Sequence, residues 1–345
     1  MGKVQTREHQ IGSGSGLKIW MPYIQGGSGT DTFTRSLAEA LRGLSCEVHE
    51  QPIPHRFQYA PFALRRLAPP PGTQITTTNS WNGFAFARHG IPMVTICHLC
   101  VHDPAYAPYR SLPQSIFHRN FVKGFERLSF QAARATVSVS EATARAVREV
   151  FPHVDPVVIR NGIDTSFFTP GRAKPVSHRF RLLFVGNLTP RKGADLLEPV
   201  LERLGNGFEL HYTSGLRDRG ALTASTARAL GSLGRVEVRD AYRAADAFLF
   251  PTRLEGLPLT VMEAMACGLP IVASNRSSIP ELVTDGKEGL LCEPEVAVLS
   301  DAVRSLADNK TVCLRMSEAA RHRAAADFDL MRMARDYRAL FEKLI

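Results

Sequence analysis

Twice along this chain a short apolar run ends in a glycine turn and then opens an amphipathic helix. No other feature restricts the fold as much. In the first half, residues 17–21 read as a strand, Gly26, Gly27, Ser28 and Gly29 as the turn, and 30–43 as a helix with Phe33, Leu37, Ala40 and Leu41 on one face. In the second half, residues 181–185 form the strand, Gly186 the turn and 194–204 the helix. Further β-branched or apolar runs follow each unit: 47–49, 74–78, 92–96, 136–139 and 157–159, then 208–213, 247–250 and 270–273. Helical periodicity fills 141–150, 258–266, 296–307, 310–325 and 330–344, and a helix-like stretch separates 78 from 92. Strands alternating with helices predict α/β architecture with parallel sheets covered on both faces.

A length of 345 residues suits two such domains. The expected division is a flexible arm at 1–16, a Rossmann-like domain at 17–168, a second at 169–326 and a terminal helical segment at 327–345 that crosses back to the first. The linker is read at 168–177, where prolines and a glycine interrupt the periodicity. Two sheets of this kind face each other across a cleft, and ligands bind at the C-terminal ends of their strands.

Composition narrows the partners. The chain holds 42 Lys and Arg against 33 Asp and Glu, with the surplus larger in the first half. A basic face attracts diphosphates or anionic lipid head groups, and charge alone selects neither; nucleic acid is not an expected partner. No long apolar run and no basic-then-apolar leader appear, so a cytoplasmic location is expected, with peripheral contact at the inner face of a membrane left open. Cys97, His98, Cys100 and His102 resemble part of a zinc site, but no second Cys/His cluster follows, and no metal is expected there. Asp327 and Asp329 flank Phe328 at the start of the last helix, far from any strand end, which suits packing better than a metal.

The chemistry concentrates between Phe250 and Pro270. A buried strand ends at Pro251, a polar loop carries Glu255, and Gly256, Leu257 and Pro258 open a helix. Free N–H groups and positive dipole at that helix start suit a phosphate. Glu255 suits sugar hydroxyls, and Glu263, among Val261, Met262, Ala264 and Met265, suits a ribose diol. A solvated loop acid and a buried ion pair are the plainer readings of the two carboxylates.

Glu255, seven residues, then Glu263, set in EGLPLTVMEAMACGLPIVAS, resembles the signature of the retaining glycosyltransferase family 4. Phe248–Pro251 before it, and Ile279-Pro280-Glu281-Leu282-Val283 with Gly286 and Gly289 after it, match that family in order. The resemblance implies the GT-B fold and a nucleotide diphosphate sugar as donor, with no cofactor and no metal. Lys192 then matches a phosphate-binding lysine, and Arg191 is expected to replace an arginine that the family often carries where Asn187 stands. Gly27 and Ser28 match the N-terminal glycine loop, and Asn161-Gly162-Ile163-Asp164 a cleft-lining segment. His98 is preferred over His102 as the histidine beside the donor sugar. His98, Glu255 and Lys192 are thus the catalytic candidates, and Gly27, Ser28, Arg191, Lys192, Glu255, Gly256, Leu257 and Glu263 the donor-binding ones.

Two departures from the family stand out. Residues 234–242 are short for the nucleobase region, which leaves uracil against guanine open, and Arg276, Ser277 and Ser278 replace glycines. The acceptor is expected to be a glycan, a glycolipid or a small molecule. Residues 106–130 mix basic and aromatic side chains, consistent either with an anionic membrane or with a helix packed on its own domain. A nucleotide-sugar hydrolase or epimerase on the same scaffold, or a non-catalytic nucleotide-sugar-binding module, are the alternative functions.

Overall fold

The computed structural model describes residues 16–27, 29–171, 177–214 and 222–345. Ser28 and the 172–176 part of the expected linker lie outside the described residues, as does most of the expected N-terminal arm.

The first sheet contains β1 (Lys18–Gln25), β2 (Glu47–Pro54), β3 (Ile75–Asn79), β4 (Met93–Cys97), β5 (Ala135–Ser138) and β6 (Val157–Val158). All pairings are parallel, in the order β2-β1-β3-β4-β5-β6. Four helices accompany it: α1 (Gly29–Gly43), α2 (Leu112–Phe117), α3 (Lys123–Ala132) and α4 (Glu141–Val150). The second sheet is parallel too: β7 (Phe180–Phe184), β8 (Phe208–Tyr212), β9 (Ala227–Ala229), β10 (Ala247–Phe250), β11 (Ile271–Ser274) and β12 (Gly289–Cys292). Its order is β12-β11-β10-β7-β8-β9. Its helices are α5 (Ala194–Leu204), α6 (Arg235–Ala244), α7 (Leu259–Ala266), α8 (Ile279–Leu282), α9 (Val296–Asp308), α10 (Lys310–Asp327) and α11 (Leu330–Glu342).

Parallel strands need crossovers, and the crossovers place helices on both faces of each sheet. The central strands therefore read as continuous rather than alternating apolar runs: every residue of β10 and β11 is buried. Phe250 stacks between Phe248 and Phe184, with ring centroids 5.6 and 6.0 Å away. These rings fix the strand end from which the Glu255 loop departs.

One segment differs from the sequence expectation, and others form where none was stated. Between β3 and β4 only a short 3₁₀ turn, Gly83–Ala85, forms. Phe84, Ala85 and Phe86 are all buried there, the Phe84 N–H donates to Ser129 Oγ at 3.0 Å, and a Cβ on Gly83 would press on Thr95 and Ser129. Burial on all sides replaces the one-sided face that a surface helix would keep. Helix α6 forms across 235–244, and the Glu237 carboxylate turns back over its start to accept from the Gly234 N–H.

The terminal helices bind the two sheets together. Ile163 N–H donates to Phe328 O and Leu330 N–H to Ile163 O, each at 2.9 Å. Asp329 caps α11 through the Met331 N–H and accepts from Thr165 Oγ1, while Phe328 is buried. Helix α11 then lies on α1, with Arg338 donating to Leu44 O at 2.8 Å and Tyr337 against Phe33. Among the described residues no helix is long and apolar enough to cross a membrane.

Candidate active site in the interdomain cleft

In each sheet the strand order reverses beside the first strand, and the loops diverge there to leave a crevice. In the second sheet the reversal lies between β7 and β10. The loop after β7 carries Arg191 and Lys192, and the loop after β10 carries Glu255, so residues some sixty positions apart meet at one point. In the first sheet it lies between β1, followed by Gly26 and Gly27, and β3, which ends on Asn79. The two crevices face each other across a cleft of about 570 Å³. Gly27, His98, Arg191, Lys192 and 255–260 all line it.

Glu255 Oε1 lies 3.1 Å from Arg191 Nη1 and 3.0 Å from Lys192 Nζ, and all three side chains are mostly buried. Burial alone would raise the Glu255 carboxyl, but the charges of Arg191 and Lys192 hold it below its ordinary value. Arg191 also donates to Leu254 O, and its own carbonyl accepts from Arg253 N–H at 2.8 Å and Thr252 Oγ1 at 3.2 Å. The two loops are thus joined through backbone as well as charge. Gly193, at φ 72°, permits this approach, since a Cβ would stand 2.0 Å from Pro251 O.

Ser277 holds Glu255 from behind, a role the sequence did not reveal. Its hydroxyl lies 2.7 Å from Glu255 O and 3.2 Å from Glu255 N, and its backbone sits in the left-handed region at φ 55°. A glycine would adopt that conformation without strain but would have no hydroxyl to offer. Ser277→Ala, which keeps the strain and loses the bonds, is expected to cost about 1–2 kcal/mol in urea unfolding. Ser277→Gly should lose less stability, yet both variants should lose kcat equally, because both release Glu255.

Helix α7 begins at the cleft with no side-chain cap on its N-terminus, so its first N–H groups are open to an anion. One turn beyond Thr260, Glu263 Oε2 accepts from Tyr242 Oη at 3.0 Å. Burial raises the Glu263 carboxyl from 4.5 to about 7, against the pull of the Tyr242 hydrogen bond and the Arg235 charge. The unfolded chain releases this proton near 4.5 and the folded chain keeps it until about 7. The group therefore costs the fold stability progressively as pH rises across that window, and the loss is complete above it. Glu263→Gln should gain melting temperature relative to the parent across the same window and hold the gain above it, as read by calorimetry at stepped pH.

Sequence models match both halves: Glycosyltransferase Family 4 over residues 50–167 and Glycosyl transferases group 1 over residues 179–309. The chain belongs to glycosyltransferase family 4. It is 28% identical over 253 residues to an alpha-maltose-1-phosphate synthase of Mycolicibacterium smegmatis; the match covers 64% of this chain and 65% of that one, slightly under two thirds of the relative's length. Sucrose-phosphate synthase from Thermosynechococcus elongatus superposes with a TM-score of 0.80 at 17% identity, over 95% of this chain and 99% of that one. A structure of HepE from Anabaena, solved with UDP and glucose, gives 0.72 at 16% identity, over 95% and 100%. The fold of this family 4 chain is GT-B.

Within that frame the first domain supplies the opposite wall. His98 lines the cleft, with Nε2 3.2 Å from Asn79 Oδ1 and its ring edge-on to Phe33. Burial lowers its pKa to about 4, so it is neutral at physiological pH. His102 instead turns into the first domain, 3.1 Å from the buried Glu126 carboxylate. Gly26 and Gly27 lie at the cleft, but their N–H groups donate to Asp31, at 3.0 and 2.7 Å, and not into the open space. Gly26 and Gly27 therefore line the cleft without offering it their amides. Cys46, Cys97, Cys100, Cys267 and Cys292 are buried free thiols, and the described residues contain no cluster of three or more His, Cys, Asp or Glu arranged to hold a metal.

The walls touch at several points among the described residues. The Asn161 amide donates to Leu257 O at 2.9 Å, and Gly256 passes so close to His98 that a Cβ would stand 1.7 Å from its carbonyl oxygen. Glu281 on α8 accepts from the N–H groups of Glu141 and Ala142 at the start of α4 in the other domain, beside the Ser140 cap. Neither Tyr242 nor Asn79 had a readable signal in the sequence, because each matters only through a partner from another element.

Proposed function

We propose that this chain is a retaining, metal-independent glycosyltransferase that moves a sugar from a nucleotide diphosphate sugar to a hydroxylated acceptor. The observation that carries this reading is the pair of cations, Arg191 and Lys192, held by Glu255 beside the open N-terminus of α7. In the resting cleft Glu255 pairs with both and leaves one net positive charge. A donor diphosphate takes over both cations, and Glu255 turns to the sugar hydroxyls, with Glu263 on the ribose. HepE, a GT-B protein of the same fold solved in complex with UDP and glucose, supports a UDP-sugar donor.

In the reaction the bond from the anomeric carbon to the diphosphate oxygen breaks, and the acceptor oxygen bonds to that carbon on the same face. The acceptor proton passes to the leaving phosphate. Arg191, Lys192 and the α7 dipole offset the charge that develops there, the task a divalent ion performs elsewhere. His98 is neutral and hydrogen-bonds the donor sugar.

A thermal-shift panel of nucleoside diphosphates tests the donor, since a ligand that binds only the folded chain raises its melting temperature by mass action. A panel without any shift refutes the reading. Anomer-resolved NMR of the product tests retention, and an unchanged rate in EDTA is the expected result for metal independence.

Membrane contact belongs to the same proposal. Helix α2 and the π-helical turn His118–Val122 that joins it to α3 expose Leu112, Ile116 and Phe121, while Val122 and Phe130 pack inward. Tyr59 and Phe62 extend this apolar face, and Arg65, Arg119, Lys123 and Arg127 surround it, matching an anionic bilayer in charge. The chain is expected to co-sediment with phosphatidylglycerol vesicles, to stay free of phosphatidylcholine ones, and to lose most binding in Phe121→Asp.

A further inference from the structure

A second cavity of about 260 Å³ lies in the first domain and joins the donor cleft at Gly26, Thr30, His98 and Leu99. It sits at the switch point of the first sheet, walled by the ends of β1, β3 and β4. Its chemistry differs from that of the donor side. Among the described residues that line it, none is Lys or Arg, and its formal charge is the single carboxylate of Asp31, buried and bonded to the glycine loop. The other polar groups that line it are amides and hydroxyls, the imidazoles of His55 and His98, and the Trp81 indole.

Several of those groups are already committed. Thr78 Oγ1 donates to Pro22 O, Ser80 Oγ to Glu126, and Asn79 meets His98. Asn82 is not. It is 7% exposed, and its amide oxygen is buried without a hydrogen-bond partner among the described residues. A buried amide without a partner is costly unless a ligand completes it.

We infer that this cavity is the acceptor subsite, that it takes an uncharged sugar ring, and that Asn82 determines this specificity by bonding one of the ring hydroxyls. The inference rests on the glycosyltransferase reading above. A phosphorylated or acidic sugar would bring a negative charge towards Asp31 with no Lys or Arg among the described lining residues to receive it. A neutral hydroxylated ring meets amides that donate and accept, and it lies next to His98 and the reacting end of the donor. Its volume admits a monosaccharide unit and not an oligosaccharide, so only the terminal residue of a longer acceptor is read here.

The test uses the full chain saturated with UDP and follows binding of methyl glucoside, methyl mannoside and methyl galactoside by ligand-observed NMR, each beside its 6-phosphate. At least one neutral glycoside is expected to bind, more tightly than its phosphate. Asn82→Leu should weaken that glycoside by about tenfold, the worth of one net hydrogen bond. Should Asn82→Leu fail to fold, Gln58→Lys, on the partly exposed wall, should shift preference towards the 6-phosphate in a salt-dependent way. Phosphates binding as well as the neutral sugars, no neutral sugar binding, or an indifferent Asn82→Leu would each overturn the assignment. UDP affinity, measured on the same samples, separates the two readings: its absence refutes the donor proposal, whereas intact UDP binding with a reversed sugar preference refutes only the neutral subsite.

Discussion

Replacing Lys192 with alanine is expected to lower kcat by about 10²–10³-fold, the usual loss when a preorganised charge partner of a developing anion is removed. Its ammonium is mostly buried, 3.0 Å from Glu255 and 5.2 Å above the centre of the Phe250 ring, so it is held in position before any ligand arrives. The leaving diphosphate is more negative in the transition state than in the bound donor. The loss should therefore fall on kcat more than on the affinity for UDP. Arg191 remains in the variant and keeps a partial grip on the phosphates. Titration calorimetry with UDP beside steady-state turnover makes the comparison. Equal losses in affinity and turnover would make Lys192 a binding residue only, and an unchanged turnover would place the diphosphate elsewhere.

Gly256→Ala should be nearly as damaging for a different reason. The added Cβ would come within 1.7 Å of the His98 carbonyl oxygen, a backbone atom that cannot swing aside as a side chain would, and the Cβ is fixed on its own backbone. The two domains must then separate by an ångström or more, which pulls His98 and the acceptor wall away from Glu255. A misplacement of about 1 Å between reacting groups costs about 10²-fold in rate. Arg191, Lys192 and Glu255 keep their contacts within the second domain, so UDP binding there should persist. A larger radius of gyration in small-angle scattering, together with lost turnover, is the expected pair of results. Full activity in the variant would show that the closed contact is not the reactive one.

Much of the site is legible in the sequence because its residues are local to one motif. Glu255, Gly256, Leu257 and Glu263 lie within nine positions, and a strand, a loop and a helix start follow from the same stretch. Lys192 and Arg191 are legible as a basic turn after a strand. What sequence could not supply was their pairing with Glu255, because the two loops stand some sixty positions apart and meet only in the folded chain. Nor could it supply Ser277, whose positive φ and hydroxyl work together only behind Glu255. The glycine loop reads as an approach to phosphate, whereas its amides are already bonded to Asp31. That bond connects side chain and backbone four and five positions apart, and a glycine pattern alone does not report it.

The same division holds for the fold. Periodicity and glycine turns determined two parallel α/β units, because a strand buried on both faces must be continuously apolar and each crossover helix must show one apolar face. The 79–92 segment escaped that logic, since Phe84, Ala85 and Phe86 are buried on all sides by a partner helix. Local sequence thus determined which residues could serve as acid, cation and anion-binding helix start. Tertiary structure alone decided where they meet. The order of strands in each sheet sets which loops diverge at the switch point, and the His98–Gly256 and Glu281–α4 contacts set how far apart the two walls stand. Both depend on distances between segments far apart in the chain, which no local pattern of residues encodes.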